Sequence, residues 1–331
     1  MTTLFVATTG GHLAQLDKLA QRVPPDGTAL WVTPDSTQGR SLLTDRDAEF
    51  THVVPGRSVS GVLRCLPIAH RIWRNREVTR AISTGSGIAL GFLPYLAARG
   101  VECHYVESAA RVTSPSLTGR IMRWVPGVRC YTQHPGWASR HWHYGGSQFD
   151  CYAPVPAHRD RRGPIRVLVT VGTSNFPFRR MLDPLVRLLG PQGELSTTTG
   201  STVEVLWQTG STPVDGLPID GVRYLSGPDL ERALSVADIV ISHAGTGSAM
   251  AAFEAGLKPV LVTRLHEYGE ASDDHQGQLA EELRRRGLAS YRRDGAVGVA
   301  ELTASMSWSV RRVDEPSPFS LLPRNERSGR R

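Results

Sequence analysis

Apolar, β-rich runs alternate with helix-length segments along most of this chain, and this alternation restricts its fold more than any other feature. In the first half the strand-like runs are 4–8, 29–32, 52–54, 81–83, 103–106 and 128–131. A second series consists of 166–172, 203–208, 222–225, 239–242 and 260–263. Strands separated by helix-length segments predict βαβ units with parallel sheets. The sequence therefore predicts an α/β protein with two doubly wound, Rossmann-like domains.

The chain length and the segment between the two series predict the domain boundaries. A chain of 331 residues is about two domains long at roughly 150 residues per domain. Residues 154–164 are rich in Pro and Arg and lack a hydrophobic period, so we predict a linker between domains at 1–153 and 165–312. We also predict a mobile surface loop at 188–201 and a disordered basic tail at 313–331.

The formal net charge of +7 would suit a nucleic acid or an anionic membrane. Six arginines in the last 21 residues carry much of this excess, and no nucleic-acid-binding motif accompanies them, so we expect no nucleic-acid partner. The sequence contains no secretion signal and no apolar run of about 18 residues. Its four cysteines are widely spaced, which indicates reduced thiols in a cytoplasmic protein.

Each predicted domain opens with a strand that runs directly into a turn of small residues. These turns are Thr9-Gly10-Gly11-His12 and Gly172-Thr173-Ser174. Glycine lets a ligand approach the backbone closely, and the N-terminus of the following helix offers free N–H groups to an anion. An imidazole with an ordinary pKa near 6.5 suits proton removal from a hydroxyl. His12 is therefore a candidate general base or phosphate contact, with capping of the adjacent helix as the alternative.

The strongest local pattern is the apolar strand at 239–242 followed by His243-Ala244-Gly245-Thr246-Gly247-Ser248 and a helix-forming run. Backbone amides and two hydroxyls at the start of a helix can converge on one anionic group. The Lys of a Walker loop and the spacing of a dinucleotide-binding fingerprint are both missing. The pattern therefore predicts a phosphate site of another kind.

A polar cluster at 267–276 follows the strand that ends at Arg264. It contains Asp274, His275 and Gln276, whose acid, imidazole and amide groups suit recognition of sugar hydroxyls. Metal binding by Asp273, Asp274 and His275 is the alternative, although adjacent carboxylates at a helix start are commonly caps. We expect no metal site here.

These motifs carry a resemblance. Residues 165–287 resemble the nucleotide-sugar-binding domain of glycosyltransferase family 28, in particular the members that act on dolichyl- or undecaprenyl-linked acceptors and their exopolysaccharide counterparts. The matching motifs include Trp207-Gln208-Thr209-Gly210, the segment 237–248, and Gly269-Glu270 with Asp274-His275-Gln276. The resemblance implies a GT-B architecture with two Rossmann-like domains that face an interdomain cleft.

The first half is similar to the partner subunit of the same transferases, which helps to bind the lipid-linked acceptor. The matching motifs are Thr9-Gly10-Gly11-His12-Leu13, Ser83-Thr84-Gly85, the segment 105–112 and the segment 116–120. The resemblance thus implies a fusion of the two subunits in one chain, with the acceptor domain first.

The resemblance implies a role for each matching residue. In the second half, donor binding falls to Gly172, Thr173, His243, Gly245, Thr246, Gly247, Ser248, Asp274, His275 and Gln276. In the first half, His12 resembles the proposed base, and acceptor binding falls to Gly10, Gly11, Glu107, Ser108 and Arg111, although Glu107 and Arg111 can equally support the domain structure. No cofactor is implied beyond a UDP-sugar as co-substrate, and no motif requires a divalent metal.

Two departures from the family pattern affect these expectations. Family members carry a Glu that binds the ribose three residues after the serine of the glycine loop, where this chain has Ala251. We predict that Glu254, one helical turn later, takes its place in donor binding. The chain also lacks the N-terminal membrane helix of many partner subunits, so membrane contact falls to the Arg- and Trp-containing segments 64–80 and 120–124. An amphipathic helix that covers a core has the same pattern, and it is the interpretation favoured for segment 64–80 taken alone.

The sequence therefore predicts an inverting hexosyltransferase. We expect it to move a sugar from a UDP-sugar to a polyprenyl-(pyro)phosphate-linked acceptor in polysaccharide or glycoconjugate biosynthesis. We expect it to bind the anionic cytoplasmic face of the plasma membrane peripherally. Transfer to a soluble small molecule and non-catalytic binding of a nucleotide sugar are the alternatives.

Overall fold

The computed structural model describes residues 1–157, 163–271, 274–292 and 296–322. The chain divides into two compact units, Met1–Asp150 with Pro316–Arg331 and Cys151–Glu315. Each unit is built around its own parallel sheet.

The first unit has a seven-stranded sheet. Its strands are β1 (Thr2–Ala7), β2 (Thr28–Pro34), β3 (Ala48–Thr51), β4 (Val78–Gly85), β5 (Glu102–Val106), β6 (Val128–Thr132) and β7 (His143–Tyr144). They lie in the order β3-β2-β1-β4-β5-β6-β7 and pair in parallel. The chain therefore reverses its direction of winding between β1 and β4, and doubly wound sheets bind ligands at such a switch point.

The helices of this unit are α1 (Gly11–Arg22), α2 (Thr37–Leu42), α3 (Val59–Leu63), α4 (Cys65–Asn75), α5 (Gly87–Ala97) and α6 (Leu117–Met122). Helix α5 is apolar on most sides because it packs between the sheet and the helices α3, α4 and α6. Ile72 is buried in this core, and Ile68 and Trp73 pack against it. The apolar residues of segment 64–80 thus cover the core, as expected for an amphipathic helix that packs on the sheet.

The second unit has a six-stranded parallel sheet and a two-stranded antiparallel one. Its strands are β8 (Tyr152–Pro156), β9 (Ile165–Thr170), β10 (Val203–Gln208), β11 (Gly221–Val222), β12 (Ile239–His243), β13 (Val260–Val262), β14 (Ser290–Tyr291) and β15 (Trp308–Arg312). The parallel sheet has the order β11-β10-β9-β12-β13-β14. Its switch point lies between β9 and β12, the two strands that lead into the glycine turns.

The helices of the second unit are α7 (Arg179–Leu189), α8 (Glu194–Thr199), α9 (Gly227–Val236), α10 (Thr246–Glu254), α11 (His275–Arg285) and α12 (Val299–Met306). Helix α8 occupies part of the predicted surface loop at 188–201. Its Leu195 is fully buried in the core under α7, so a mobile loop is the wrong description of that segment. The predicted strand at 52–54 is also wrong, because β3 ends at Thr51.

The segment predicted as a linker begins inside a strand. Residues 154–156 belong to β8, which pairs antiparallel with β15 from Tyr152 opposite Arg312 to Pro156 opposite Trp308. This partner lies about 150 residues away in sequence, so local composition gave no sign of it. Residues 158–162 of the predicted linker lie outside the described residues.

The residues that follow β15 return to the first unit. Phe319 is only 4% exposed and packs with Leu16 and Tyr131 in the core of that unit. The guanidinium of Arg22 donates hydrogen bonds to the carbonyl of Ser317, and the amide of Leu322 donates to the hydroxyl of Tyr131 at 3.0 Å. The predicted disorder of 313–331 is therefore wrong for 316–322, while 323–331 lie outside the described residues.

Candidate active site

His12 lies at the switch point of the first unit, between the carboxyl ends of β1 and β4. Its Nδ1 is 2.8 Å from the carbonyl oxygen of Thr84, and the hydroxyl of Thr84 donates back to the carbonyl of His12 at 2.7 Å. Gly85, with a φ of 114°, follows, and a Cβ there would press on the imidazole ring. The glycine that ends β4 is therefore needed for the ring to fit.

These contacts fix the tautomer of His12. A carbonyl oxygen can only accept a hydrogen bond, so Nδ1 carries the proton and Nε2 keeps its lone pair. No hydrogen-bond partner for Nε2 is found among the described residues. Burial lowers the pKa of His12 below 6.5, and Arg111 adds to this, whereas the Thr84 carbonyl and Glu107 act in the opposite direction. His12 is thus neutral at pH 7 and able to accept a proton.

Glu107 is almost fully buried beside this site. Its carboxylate accepts hydrogen bonds from the amide and the hydroxyl of Ser116, both at 2.9 Å, and from the amide of Ser108 at 3.0 Å. Gly119 packs so closely that any side chain there would overlap the carboxylate. Glu107 therefore holds the loop that carries Arg111, which favours the supporting role, and its contact with an acceptor stays a prediction.

Gln15 joins α1 to the same loop, although sequence reasoning did not select it. Its side chain accepts from the amide of Ala109 at 2.9 Å and donates to the hydroxyl of Ser108 at 3.1 Å. Gly10 and Gly11 start α1 without a side-chain cap, and Gly10 has a φ of 82°. The first-turn amides of α1 point toward the same end of the sheet as His12.

The second unit repeats this arrangement with His243. The imidazole of His243, at the end of β12, lies between Gly172 and Gly245, where a Cβ on either glycine would overlap the ring. Gly172 also has a φ of 78°. The switch points of both units therefore contain a histidine ring packed against a glycine in the left-handed region.

Helix α10 begins directly after this histidine and has no side-chain cap at Gly245. The amide of Ala249 is the first in the helix to bond the preceding turn, and it donates to the carbonyl of Gly245 at 3.0 Å. The amides of Thr246, Gly247 and Ser248 find no acceptor among the described residues, and nothing lies within 4 Å of a Cβ built on Gly247. The start of α10 thus presents three donors and a positive dipole end toward open space.

Burial of the imidazole and the positive charge of Arg264 lower the pKa of His243 to about 4. At neutral pH the ring is therefore uncharged. Thr173, also predicted to line the donor site, is exposed at the end of β9.

The predicted sugar contacts lie at the start of α11. The side-chain oxygen of Gln276 accepts from the amide of Arg264 at 3.1 Å, and one oxygen of Asp274 accepts from the amide of His266 at 2.8 Å. The amide nitrogen of Gln276 and the second oxygen of Asp274 have no partner among the described residues. Both side chains thus hold the loop with one atom and keep another for a ligand. His275 is the first residue of α11.

The alternative metal site involves Asp273, which lies outside the described residues. Across the described ranges no three His, Cys, Asp or Glu side chains are grouped so that they could hold a metal ion. The same ranges contain no helix with the length and hydropathy needed to cross a membrane.

Glu254 is not brought to the glycine loop. It is the last residue of α10, about 9 Å along the helix axis from Ser248. Its carboxylate accepts a hydrogen bond from the hydroxyl of Tyr152 in β8 at 2.6 Å. Burial raises the pKa of Tyr152, and this hydrogen bond raises it further. Glu254 thus contacts β8 at the far end of the helix, and its role in donor binding stays a prediction.

Sequence reasoning also missed the buried arginine that links the loops after β9 and β13. Arg264, at 1% exposure, extends under the turn after β9 and bonds its carbonyls, while Glu270 and Arg180 form an ion pair beside it. The sequence signal that could have identified Arg264 is the position of an arginine directly after an apolar strand.

Three comparisons with known proteins agree with this geometry. Residues 166–305 match the family described as "Glycosyltransferase family 28 C-terminal domain". The chain is 33% identical over 133 residues to UDP-N-acetylglucosamine transferase subunit ALG13 of Mus musculus, which covers 38% of this chain and 10% of the relative. It is 30% identical over 166 residues to UDP-N-acetylglucosamine--N-acetylmuramyl-(pentapeptide) pyrophosphoryl-undecaprenol N-acetylglucosamine transferase of Cupriavidus necator. This match covers 47% of this chain and 43% of the relative. The chain thus spans less than half the length of these curated relatives.

Among solved structures, MurG of Acinetobacter baumannii is similar over 92% of this chain and 89% of that protein. The TM-score is 0.57 and the sequence identity is 18%. This similarity shows a shared fold along most of the chain. Residues 166–305 thus resemble a glycosyltransferase family 28 C-terminal domain, and the chain as a whole has the GT-B fold.

Proposed function

We propose that this chain transfers a sugar, with inversion, from a UDP-sugar to a polyprenyl-(pyro)phosphate-linked acceptor. The observation that carries the proposal is the uncapped start of α10. Its three unpaired amides lie at the switch point of a glycosyltransferase family 28 C-terminal domain. Such a helix end stabilises the negative charge that develops on a departing diphosphate.

In this proposal the second unit binds the donor. The amides of Thr246, Gly247 and Ser248 hold the diphosphate, the His243 ring packs against this turn, and Gly172 and Thr173 border the same region. The free amide nitrogen of Gln276 and the free oxygen of Asp274 bind sugar hydroxyls, with His275 beside them.

The first unit binds the acceptor in this proposal. The acceptor hydroxyl attacks the anomeric carbon, its proton passes to Nε2 of His12, and the bond from the anomeric carbon to the diphosphate breaks to release UDP. The first-turn amides at Gly11 and the loop of Ser108 and Arg111 contact the acceptor phosphate. Amides and helix dipoles supply the charge stabilisation, so we propose that no cofactor and no divalent metal is required.

Exposed apolar residues on α3 and α6 support a position at the cytoplasmic face of the plasma membrane. Both helices pack against α5, and their exposed side chains are Val59, Leu63, Leu117, Ile121 and, directly after α6, Trp124. Arg64, Arg120 and Arg123 are exposed beside them. Apolar side chains flanked by arginines suit the interface of an anionic bilayer.

The printed names of the relatives support the substrate classes. The mouse relative is a UDP-N-acetylglucosamine transferase subunit, and the Cupriavidus relative acts on a pyrophosphoryl-undecaprenol. A UDP-hexosamine and an undecaprenyl-type lipid are therefore the first substrates to test.

The test incubates the purified protein with a panel of radiolabelled UDP-sugars and either bacterial membranes or a synthetic polyprenyl diphosphate sugar. The expected result is label that moves into the organic phase with one UDP-sugar, and a product of inverted anomeric configuration. A water-soluble labelled product would contradict the lipid acceptor and favour a small-molecule transferase. Donor binding without turnover would favour the non-catalytic alternative, to which Ala251 points.

A further inference from the structure

The strongest feature outside the proposed catalytic groups is a cluster of a buried arginine, a buried glutamate and a partly exposed arginine at the carboxyl edge of the second unit. Arg264 follows β13 and is 1% exposed, which makes it the largest side chain buried to this degree among the described residues. Glu270 is 5% exposed, and Arg180 lies in the first turn of α7. A buried guanidinium is costly to desolvate unless its donors are bonded, so such a residue needs an explanation.

The guanidinium of Arg264 bonds backbone carbonyls from two separate loops. One is the loop after β9, where it donates to Val171 at 2.8 Å and to Phe176 at 2.7 Å. The other is the loop after β13, where it donates to the carbonyl of Glu270 at 3.2 Å. The planar group also stacks on the ring of Phe178, 4.6 Å from its centroid. Arg264 thus joins the two loops that carry Gly172 and the sugar-recognition residues.

Glu270 and Arg180 hold the second loop from its outer side. The carboxylate of Glu270 accepts from Nε of Arg180 at 3.1 Å, from its Nη2 at 2.7 Å and from the amide of Leu265 at 3.0 Å. Arg180 donates further to the carbonyl of Thr263 at 2.7 Å. The single carboxylate is thus paired with Arg180, and the charge of Arg264 is surrounded mainly by carbonyl oxygens. The cluster carries a net positive charge beside the glycine loops.

The same residue acts on His243. Val262 pairs with His243 in the sheet, and Arg264 lies two residues after Val262. The guanidinium of Arg264 also donates to the carbonyl of Val171, the residue before Gly172, which packs against the His243 ring. Removal of its charge is therefore expected to make His243 easier to protonate.

From these contacts we infer that Arg264 is a positioning residue for the donor: its planar guanidinium fixes the loops 171–177 and 264–270 in the shape that binds a nucleotide sugar, and Glu270 with Arg180 locks the second loop. The inference rests on the donor role proposed above. A lysine at 264 keeps the charge but has one donor atom, which cannot reach carbonyls on both loops in a fixed plane.

The test compares Arg264→Lys and Arg264→Gln with the wild-type chain, and uses Arg166→Gln as a control. Arg166 lies at the opposite end of β9, where it is half exposed and pairs with Glu204 at 3.4 Å. Hydrogen exchange measured by mass spectrometry reports the loops, titration of the His243 ring by NMR reports its protonation, and calorimetry with UDP-N-acetylglucosamine reports donor affinity.

Both Arg264 variants are expected to accelerate exchange in 171–177 and 264–270 while β10 keeps its protection, and to weaken UDP-N-acetylglucosamine binding about tenfold or more. The His243 midpoint stays near 4 in the lysine variant and rises in the glutamine variant, because the positive charge that lowers the pKa is lost. Full affinity with lysine, or faster exchange spread over the whole sheet, would overturn the inference.

Glu270→Gln provides the same test with a milder change should Arg264→Gln not fold. It frees Arg180, and exchange in 264–270 is expected to rise with a smaller loss of affinity; unchanged exchange would count against the inference. If the wild-type chain does not bind UDP-N-acetylglucosamine, the donor proposal fails, whereas exchange and the His243 titration still decide whether Arg264 shapes the loops.

Discussion

At the scale of single residues, the two switch points are built from a histidine and a glycine. His12 contacts Gly85, and His243 contacts Gly172. In each pair the histidine and the glycine are distant in sequence. The sequence motifs pointed to each residue separately, but not to their contact. Which side chain lies over which glycine depends on the order of the strands, because β1 neighbours β4 and β9 neighbours β12.

His12→Ala is expected to lower kcat by about 100-fold or more, the usual contribution of a general base, and to leave the Kd for the UDP-sugar nearly unchanged. Steady-state kinetics and calorimetry check this, with His70→Ala on the exposed side of α4 as the control. An unchanged kcat would remove His12 from the mechanism.

The pH profile of kcat/KM, which reports groups of the free enzyme, is a second test of His12. Burial lowers the pKa of His12 below 6.5, so the unprotonated ring predominates at pH 7 and is lost only as the pH falls below the pKa of an ordinary histidine. We expect kcat/KM to be constant from pH 8 to about 6.5 and to decline below it. A decline that starts above pH 7 would contradict this assignment.

Comparison of Gly245→Ala with Gly247→Ala separates the effect of packing against His243 on stability from the effect of helix propensity. A Cβ at Gly245 overlaps the His243 ring, whereas one at Gly247 meets no atom within 4 Å. Urea unfolding is expected to show a loss of about 1–3 kcal/mol for the first variant and a change within about 0.5 kcal/mol, or a gain, for the second. Equal effects would mean that the ring moves freely.

At the scale of secondary structure elements, the amphipathic pattern had two meanings that only packing could separate. The apolar side of α4 covers the core through Ile72, whereas Ile121 of α6 stays 44% exposed and Trp124 after it 64%. Both segments mix arginines with apolar residues. Helices α4 and α6 both pack against α5, so the face that each helix turns toward the core decides which of its apolar side chains are covered.

Ile121→Glu combined with Trp124→Glu is expected to reduce binding to vesicles that contain anionic phosphatidylglycerol by at least about tenfold, since two apolar anchors become charged. Flotation with anionic and with neutral vesicles measures this. Val222→Glu, at a residue of the second unit that is 41% exposed, is the control. Unchanged flotation would assign this surface to another partner.

At the scale of the whole molecule, the chain crosses between the units at Asp150–Cys151 and again at Glu315–Pro316. The second crossing returns Phe319 to the first unit, where its ring lies 6.0 Å from that of Tyr131 and presses against Gly145. The C-terminal segment is therefore part of the core of the first unit, although its sequence has no periodicity.

Phe319→Ala is expected to destabilise the first unit by about 3 kcal/mol, the usual effect of emptying a buried phenylalanine site. Hydrogen exchange of α1 and β6 amides should rise while β9 and β12 stay protected, and Leu322→Ala, at a residue that is 39% exposed, should change little. Exchange that is unaltered in α1 and β6 would show that the segment is dispensable.

The sequence by itself determined the two parallel α/β units, the glycine turns and the presence of a helix after the glycine loop at 245–248, because these depend on local periodicity and on conformations that glycine favours. Only the tertiary structure decided the start of that helix at Thr246, the pairing of β8 with β15, the return of Phe319 and the burial of Arg264 between two loops. Local periodicity reports that a residue is buried, but not which distant residue covers it. The loops after β9 and β13 are therefore joined by contacts such as that of Arg264 with Val171, which no short stretch of sequence contains.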